Sequence, residues 1–240
     1  MRIVAFAILL GVLVSPAFAV EKQFCLKDSL GLVGVKPGDC FKEGETVALL
    51  DRQVADAEGK PMTIALAMGG ETRSVDTCTA YLNAFGDGFD VADEAQRPNQ
   101  RRFAFVCGAA ALLIGARPAK QSFLGEWGAE LRDLNRVSID ILPVVGDGEP
   151  SIGSEASVKS LGADVQMLDH KVADLELKYN GAYAAYREVA RGDFNADEIE
   201  DVLVLVHTES PDGKQKMDYS LPLSRFDANS LLMRADAGAE

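Results

Sequence analysis

Oxygen-bearing side chains fall at positions 1, 3, 5 and 9 of the stretch from Asp193 to Asp201: Asp193, Asn195, Asp197 and Asp201. Hard cations such as Ca²⁺ take six to eight oxygen ligands, and a tight loop that turns alternate side chains inward supplies most of them. Position 7 of such a loop contributes a backbone carbonyl, here that of Ile199. The spacing therefore predicts one weak Ca²⁺ site made by Asp193, Asn195, Asp197, Ile199 and Asp201. An EF-hand does not fit, because its bidentate Glu at position 12 would fall on Val204. The same residues have a second reading, as Asp and Asn side chains hydrogen-bonded to their own backbone in a plain turn.

A loop of this kind has to be held between rigid elements, and apolar runs stand on both sides of it. Ala182 to Ala190 precedes it and the almost wholly apolar Val202 to Val206 follows. The whole segment from Arg191 to Val206, RGDFNADEIEDVLVLV, resembles the D-x-[DN]-x-D-G-x-x-D calcium loops of FG-GAP (integrin-type β-propeller) repeats. That resemblance implies a Ca²⁺ loop joining two strands, with the five ligands named above. At loop positions 4 and 6, where the family has Gly, this chain has Ala196 and Glu198. Position 6 needs φ > 0, which costs a residue with a Cβ about 1 kcal/mol. A propeller needs four or more four-stranded blades, whereas one such unit is visible and no internal repeat accompanies it. The unit is read as part of a different, α+β protein.

Further strands complete the unit. Asn180-Gly181 is a strong hairpin signal between Val172–Tyr179 and Ala182–Ala190. Pro211-Asp212-Gly213 makes another turn before Lys216–Leu223, which gives an antiparallel meander with the cation loop between its two central strands. A metal there would neutralise three clustered carboxylates.

The earlier part of the chain reads differently. Residues 20 to 51 are short extended pieces broken by Gly31, Gly34, Lys36-Pro37-Gly38-Asp39 and Gly44. Met62–Met68 has strand length and is closed by Gly69-Gly70. Ser74 is the expected N-cap of a helix through Val75, Cys78, Tyr81, Leu82 and Phe85, ended by Gly86 and Gly88. A second helix is expected over residues 99–116, with a strand at 103–106 as its competitor. Ser122 to Val145 suggests a short helix followed by VSIDILPVV, and residues 146–164, with four Gly, four Ser and one Pro, read as a flexible surface connection. The resulting division is residues 1–19, a disulfide-containing region 20–145, the connection 146–164 and a β-rich region 165–240.

Arg2, the apolar run Ile3–Val14 and Ala17-Phe18-Ala19 form the pattern of a secretory signal peptide over residues 1–19. Beyond it no run reaches the roughly 20 apolar residues of a membrane span. The chain has 24 Lys and Arg against 37 Asp and Glu, a net charge of −13, which repels nucleic acid and anionic membranes. All four cysteines, Cys25, Cys40, Cys78 and Cys107, precede the connection, and an oxidising compartment makes two disulfides the expectation. Of the three pairings, nearest neighbours are preferred because each bond then ties one local unit. No CxxC is present for zinc or thiol redox chemistry.

Catalytic groups are sparse. His170 and His207 are the only histidines, His207 is read as a strand-end residue, and no G-x-S-x-G, H-E-x-x-H, P-loop or dinucleotide fingerprint occurs in a fitting context. Gly86-Asp87-Gly88 and Gly146-Asp147-Gly148 read as turns, since an acidic centre repels phosphate. The sequence thus points to an exported, periplasmic or secreted, non-enzymatic binding or structural protein with a Ca²⁺-stabilised β-meander. Its alternatives are an inhibitor or adhesion-type partner of another exported or envelope protein, and a hydrolase of envelope polymer.

Overall fold

A computed structural model describes residues 24–143, 156–168 and 173–235. The expected signal peptide, the Gly146-Asp147-Gly148 turn, His170 and part of the 146–164 connection lie outside those residues. In the first half, β1 (Phe24–Cys25) pairs antiparallel with β2 (Cys40–Phe41), and Cys25 stands opposite Cys40, to which it is disulfide-bonded. β3 (Ile64–Met68) turns at Gly69-Gly70, with φ of 58° and 91°, into β4 (Glu71–Val75). The helix expected from Ser74 therefore starts later. Ser74 and Val75 are strand residues paired with Ala65 and Ile64, and Thr77 caps α1 (Cys78–Gly86) by accepting the Ala80 N–H. Two adjacent glycines permit the tight return that places Val75 in the core, and this outweighs the capping tendency of Ser74.

The short β5 (Asp90–Val91) pairs with β3, and α2 (Arg97–Ile114) follows with Pro98 in its first turn. Residues 103–106 lie inside α2, which removes the strand alternative. Phe103, Val106, Cys107, Ala110 and Leu113 recur at helical spacing and are buried. Cys78–Cys107 joins α1 to α2, with the Tyr81 and Phe103 rings 5.5 Å apart beside it. A one-turn helix, α3 (Ala129–Arg132), then leads to a 3-10 turn over Ile139–Ile141.

The second half is one antiparallel sheet in sequential order: β6 (Val165–Met167), β7 (Leu175–Tyr179), β8 (Ala182–Gly192), β9 (Asp201–Glu209), β10 (Lys216–Ser224) and β11 (Met233–Arg234). Asn180 and Gly181 both have positive φ, 48° and 82°, the geometry whose twist suits a two-residue hairpin. β9 is apolar at successive positions because it is covered on both sides. Val202, Val204 and Val206 pack with Leu131, Ile141, Leu142 and Val158, while Leu203 and Leu205 pack with Phe24, Leu26 and the α1–α2 core. The first half thus meets the sheet directly: Leu26 bridges Ala190, and the Lys27 N–H donates to the Val189 carbonyl at 2.7 Å.

The described part of the expected connection, residues 156–164, is mostly a 3-10 segment, in which Val158 is fully buried and donates its N–H to the Val137 carbonyl at 2.8 Å. Three of the buried acids are paired with cations. Arg225 meets Glu130 at 3.2 Å, Lys27 meets Asp174 at 2.7 Å, and Arg191 meets Glu188 at 2.5 Å while lying over the Trp127 ring. Pairing of this kind is what allows acidic side chains inside an acidic protein. Among the described residues no helix is long and apolar enough to cross a membrane.

Candidate cation-binding loop

Gly192 of β8 stands opposite Asp201 of β9, so the eight residues between them form a loop closed at its base by a strand pair. Asp193 and Asp201 are buried there, Asn195 and Ile199 are half-buried, and Ala196, Asp197 and Glu198 are exposed. All five residues named from the sequence lie in this one turn. The left-handed backbone falls on Ala196 and Glu198, with φ of 65° and 72°. These are loop positions 4 and 6, so the chain accepts at both a conformation that disfavours any residue with a Cβ.

The loop is laced by its own acids. Asp193 accepts the N–H groups of Asp197 and Glu198 at 3.2 and 3.0 Å, Asn195 accepts that of Asp197 at 3.1 Å, and Asp197 accepts that of Ile199 at 2.8 Å. Asp201 reaches back across the base to the Phe194 N–H at 2.8 Å. A second segment braces the loop from outside. Asp193 and Arg117 exchange backbone hydrogen bonds of 2.8 and 2.9 Å, and the Glu198 carbonyl accepts from Lys120 and Gln121. Glu200 donates its N–H to the Gln121 carbonyl at 2.8 Å, the Ser122 hydroxyl donates to the Glu200 carboxylate at 2.6 Å, and Lys120 pairs with Glu198.

Burial pushes the Asp201 carboxyl up to about 6. Ser224 and the Phe194 N–H pull it down, while the charges of Asp197 and Asp193 push it up further. Ser224 moderates the shift without closing a hydrogen bond of normal geometry, since Asp201 Oδ1 and Ser224 Oγ are both buried without a partner. An orphaned buried oxygen at the base of an acidic loop is a point where a cation would replace missing donors. Asp193 has both oxygens turned to backbone N–H groups, and Asp197 accepts one backbone N–H and, at 2.9 Å, the side-chain amide of Asn195. Among the described residues no three His, Cys, Asp or Glu side chains converge closely enough to hold a metal ion. A carboxylate offers about four lone-pair directions, so an oxygen that accepts one N–H retains capacity for a cation. The residue types are those that a Ca²⁺ loop uses, and the carboxylates would have to converge by side-chain rotation before they could hold an ion.

Comparison with protein families, curated proteins and solved structures finds no match to this chain. The site therefore has to be read from its own geometry. An open cavity of about 690 Å³ lies beside the loop, with Asp193 and Ala196 in its wall and Arg117, Lys120, Glu43 and Glu198 around it. The brace and Ser224 were not visible in the local sequence: Ser122 is 78 residues from Glu200, and nothing in its surroundings marks it as a partner.

His207 lies within β9, two residues before its end, with Nδ1 2.7 Å from Asp218 Oδ1 and Nε2 3.1 Å from Glu209 Oε1. Burial alone would lower its pKa, but hydrogen bonds to the two carboxylates raise it. Both ring nitrogens are engaged by carboxylates, so the imidazole links β9 to β10 at this end of the sheet. Tyr183 beside it is pushed up to about 12 by burial and by Glu176.

Proposed function

We propose that the Asp193–Asp201 loop is a weak Ca²⁺ site that stiffens the central hairpin of an exported, non-enzymatic binding or structural protein of the cell envelope. The observation that carries this reading is the left-handed backbone at Ala196 and Glu198. A plain turn has no need of two strained positions in addition to three acids, and these are the two positions where the calcium loops it resembles carry glycine. The buried, unpartnered oxygen of Asp201 supports the same reading. Side-chain oxygens of Asp193, Asn195, Asp197 and Asp201 and the Ile199 carbonyl would hold the ion. Bound Ca²⁺ would supply the positive charge that the clustered carboxylates lack.

Two disulfides are compatible with the oxidising location this reading requires, and residues 1–19 supply the export signal in it. Affinity on the order of 10⁻⁴ to 10⁻³ M follows for a stiff extracellular loop. At about ten times the dissociation constant, linkage then adds about 1.4 kcal/mol of stability. The test is thermal unfolding with Ca²⁺ and with chelator, for the parent and for Asp197→Ala. The parent midpoint should rise with Ca²⁺ and the variant's should not. Equal midpoints for the parent, with no calorimetric heat at millimolar Ca²⁺, would return the loop to an ordinary Asp-rich turn.

A further inference from the structure

The face of the sheet that packs on α2 is covered at one end only. Val189, Leu203 and the start of Leu205 lie under the first core, but toward the other end of β8 and β9 the cover stops and a cleft of about 320 Å³ opens between the sheet and α2. Strand register explains its lining. Ala185 stands opposite His207, and Arg187 opposite Leu205, so these four side chains share that face. Ala185 and Leu205 form an apolar floor, Phe105 of α2 and Tyr183 form aromatic walls, and Arg102 and Arg187 supply cations. A space of this size with apolar and aromatic lining and a few placed polar groups has the character of a small-molecule site.

The charges in the cleft are not equivalent. His207 lies between Asp218 and Glu209, and Lys216 pairs with Glu209 at 2.6 Å, so the charges of that wall balance when the imidazole is protonated and leave one negative charge when it is not. Arg102 donates Nε to the Ala55 carbonyl at 2.5 Å and Nη2 to the Asp56 carbonyl at 3.0 Å; Arg187 donates Nη1 to Asp28 at 3.0 Å. A guanidinium carries five N–H donors, more than these contacts use. Arg102 in particular is bound to neutral carbonyls and keeps its full charge. We propose that this cleft binds a small aromatic carboxylate, its ring system on Ala185 and Leu205 between Phe105 and Tyr183, its carboxylate on Arg102 and Arg187. Planar guanidinium groups suit a carboxylate, and aromatic walls suit a flat body. The site is separate from the cation loop and does not depend on it.

The experiment is calorimetric titration of the full, disulfide-bonded chain in chelator with 1-naphthoate, and in parallel with the neutral 1-naphthalenemethanol. Naphthoate should bind, and the alcohol should bind about tenfold more weakly, the loss expected for one charge-assisted contact. Arg187→Gln, on the exposed rim, should weaken naphthoate by a similar factor. Arg101→Gln, an exposed residue of the same helix that does not line the cleft, should leave it unchanged. Ala185→Leu, which fills the floor, should abolish binding of both compounds. Absence of naphthoate heat at millimolar concentration, equal affinity for acid and alcohol, or equal losses in Arg187→Gln and Arg101→Gln would each overturn the assignment. The two arginine variants decide the matter even if Ala185→Leu fails to fold.

Discussion

The two halves of the molecule hold their chain by different means. Before residue 143 the strands are two to five residues long, and both disulfides are found there. After residue 173 the strands run to nine and eleven residues, and the central ladder is continuous apart from one bulge at Val189. Short strands leave each residue's ordering entropy weakly offset, and covalent closure of the unfolded chain supplies what the ladder does not. In the second half the ladder is sufficient, and the conspicuous cost there is local: eight residues between β8 and β9 where Asn180-Gly181 needs two between β7 and β8. The comparison teaches that the long loop is not demanded by topology.

The largest effect is expected from the staples. Replacing Cys78 and Cys107 with Ser opens a closed loop of 29 residues and should cost about 3 to 4 kcal/mol in the chain-entropy account. Hydrogen exchange should then rise first in α1, β3 and β4 while β8 and β9 remain protected. Uniform loss of protection would mean that the halves are stabilised jointly and would erase the contrast.

Next comes the loop's base. Asp193→Ala removes the acceptor for the Glu198 N–H and one acceptor for the Asp197 N–H, and should cost about 1 to 3 kcal/mol in denaturant unfolding. The variant should also lose any response to Ca²⁺. For the economical turn, Gly181→Ala places a Cβ at φ of 82° and 3.4 Å from Pro211 Cβ, for an expected loss of about 1 to 2 kcal/mol. If Asp193→Ala cost less than Gly181→Ala, the long loop would matter less to the sheet than its short counterpart.

A pH scan probes the far end of β9. His207 is held more tightly as the cation in the folded state, because Asp218 and Glu209 outweigh burial. Its contribution is therefore complete below the unfolded value of about 6.5 and is lost as pH rises through the raised folded value. The loss should be under about 1 kcal/mol, since the side chain is 35% exposed and solvent screens it. His207→Gln should flatten that part of the profile. Smallest of all, Ala196→Gly relieves a left-handed residue but loosens the unfolded chain, for a net gain of a few tenths of a kcal/mol.

What was legible in the sequence was whatever its own neighbours determine. Asn180-Gly181, the apolar β9, the helical spacing from Phe103 to Leu113 and the nearest-neighbour disulfides all depend on residues close in the chain, and each is found where those residues pointed. The loop was legible as a constellation for the same reason. Less visible was β4, whose Thr72, Arg73 and Ser74 carry no strand signal and are recruited by pairing with β3. Val158 gave no sign of burial among serines and glycines, because its partners lie on α3, on the 3-10 turn and in the sheet. The brace at 117–122 and the cleft above Ala185 are products of tertiary packing, and no window of sequence contains them.

The sheet also tapers. From eleven residues in β8 it narrows to three in β6 and two in β11, and because β11 pairs only with Leu223 and Ser224, the outer edge of β10 from Lys216 to Leu221 has no strand beside it among the described residues. A long bare edge would be a template on which a second chain could add, the first step toward fibrous aggregation. This protein keeps its most apolar strand, β9, inside that edge, and the edge strand itself carries exposed Lys216 and Asp218 and, further along, Pro222, the residue types that blunt strand addition. At high local concentration it is this placement of charge and proline on β10, and not the length of the outermost strands, that opposes addition of a second chain.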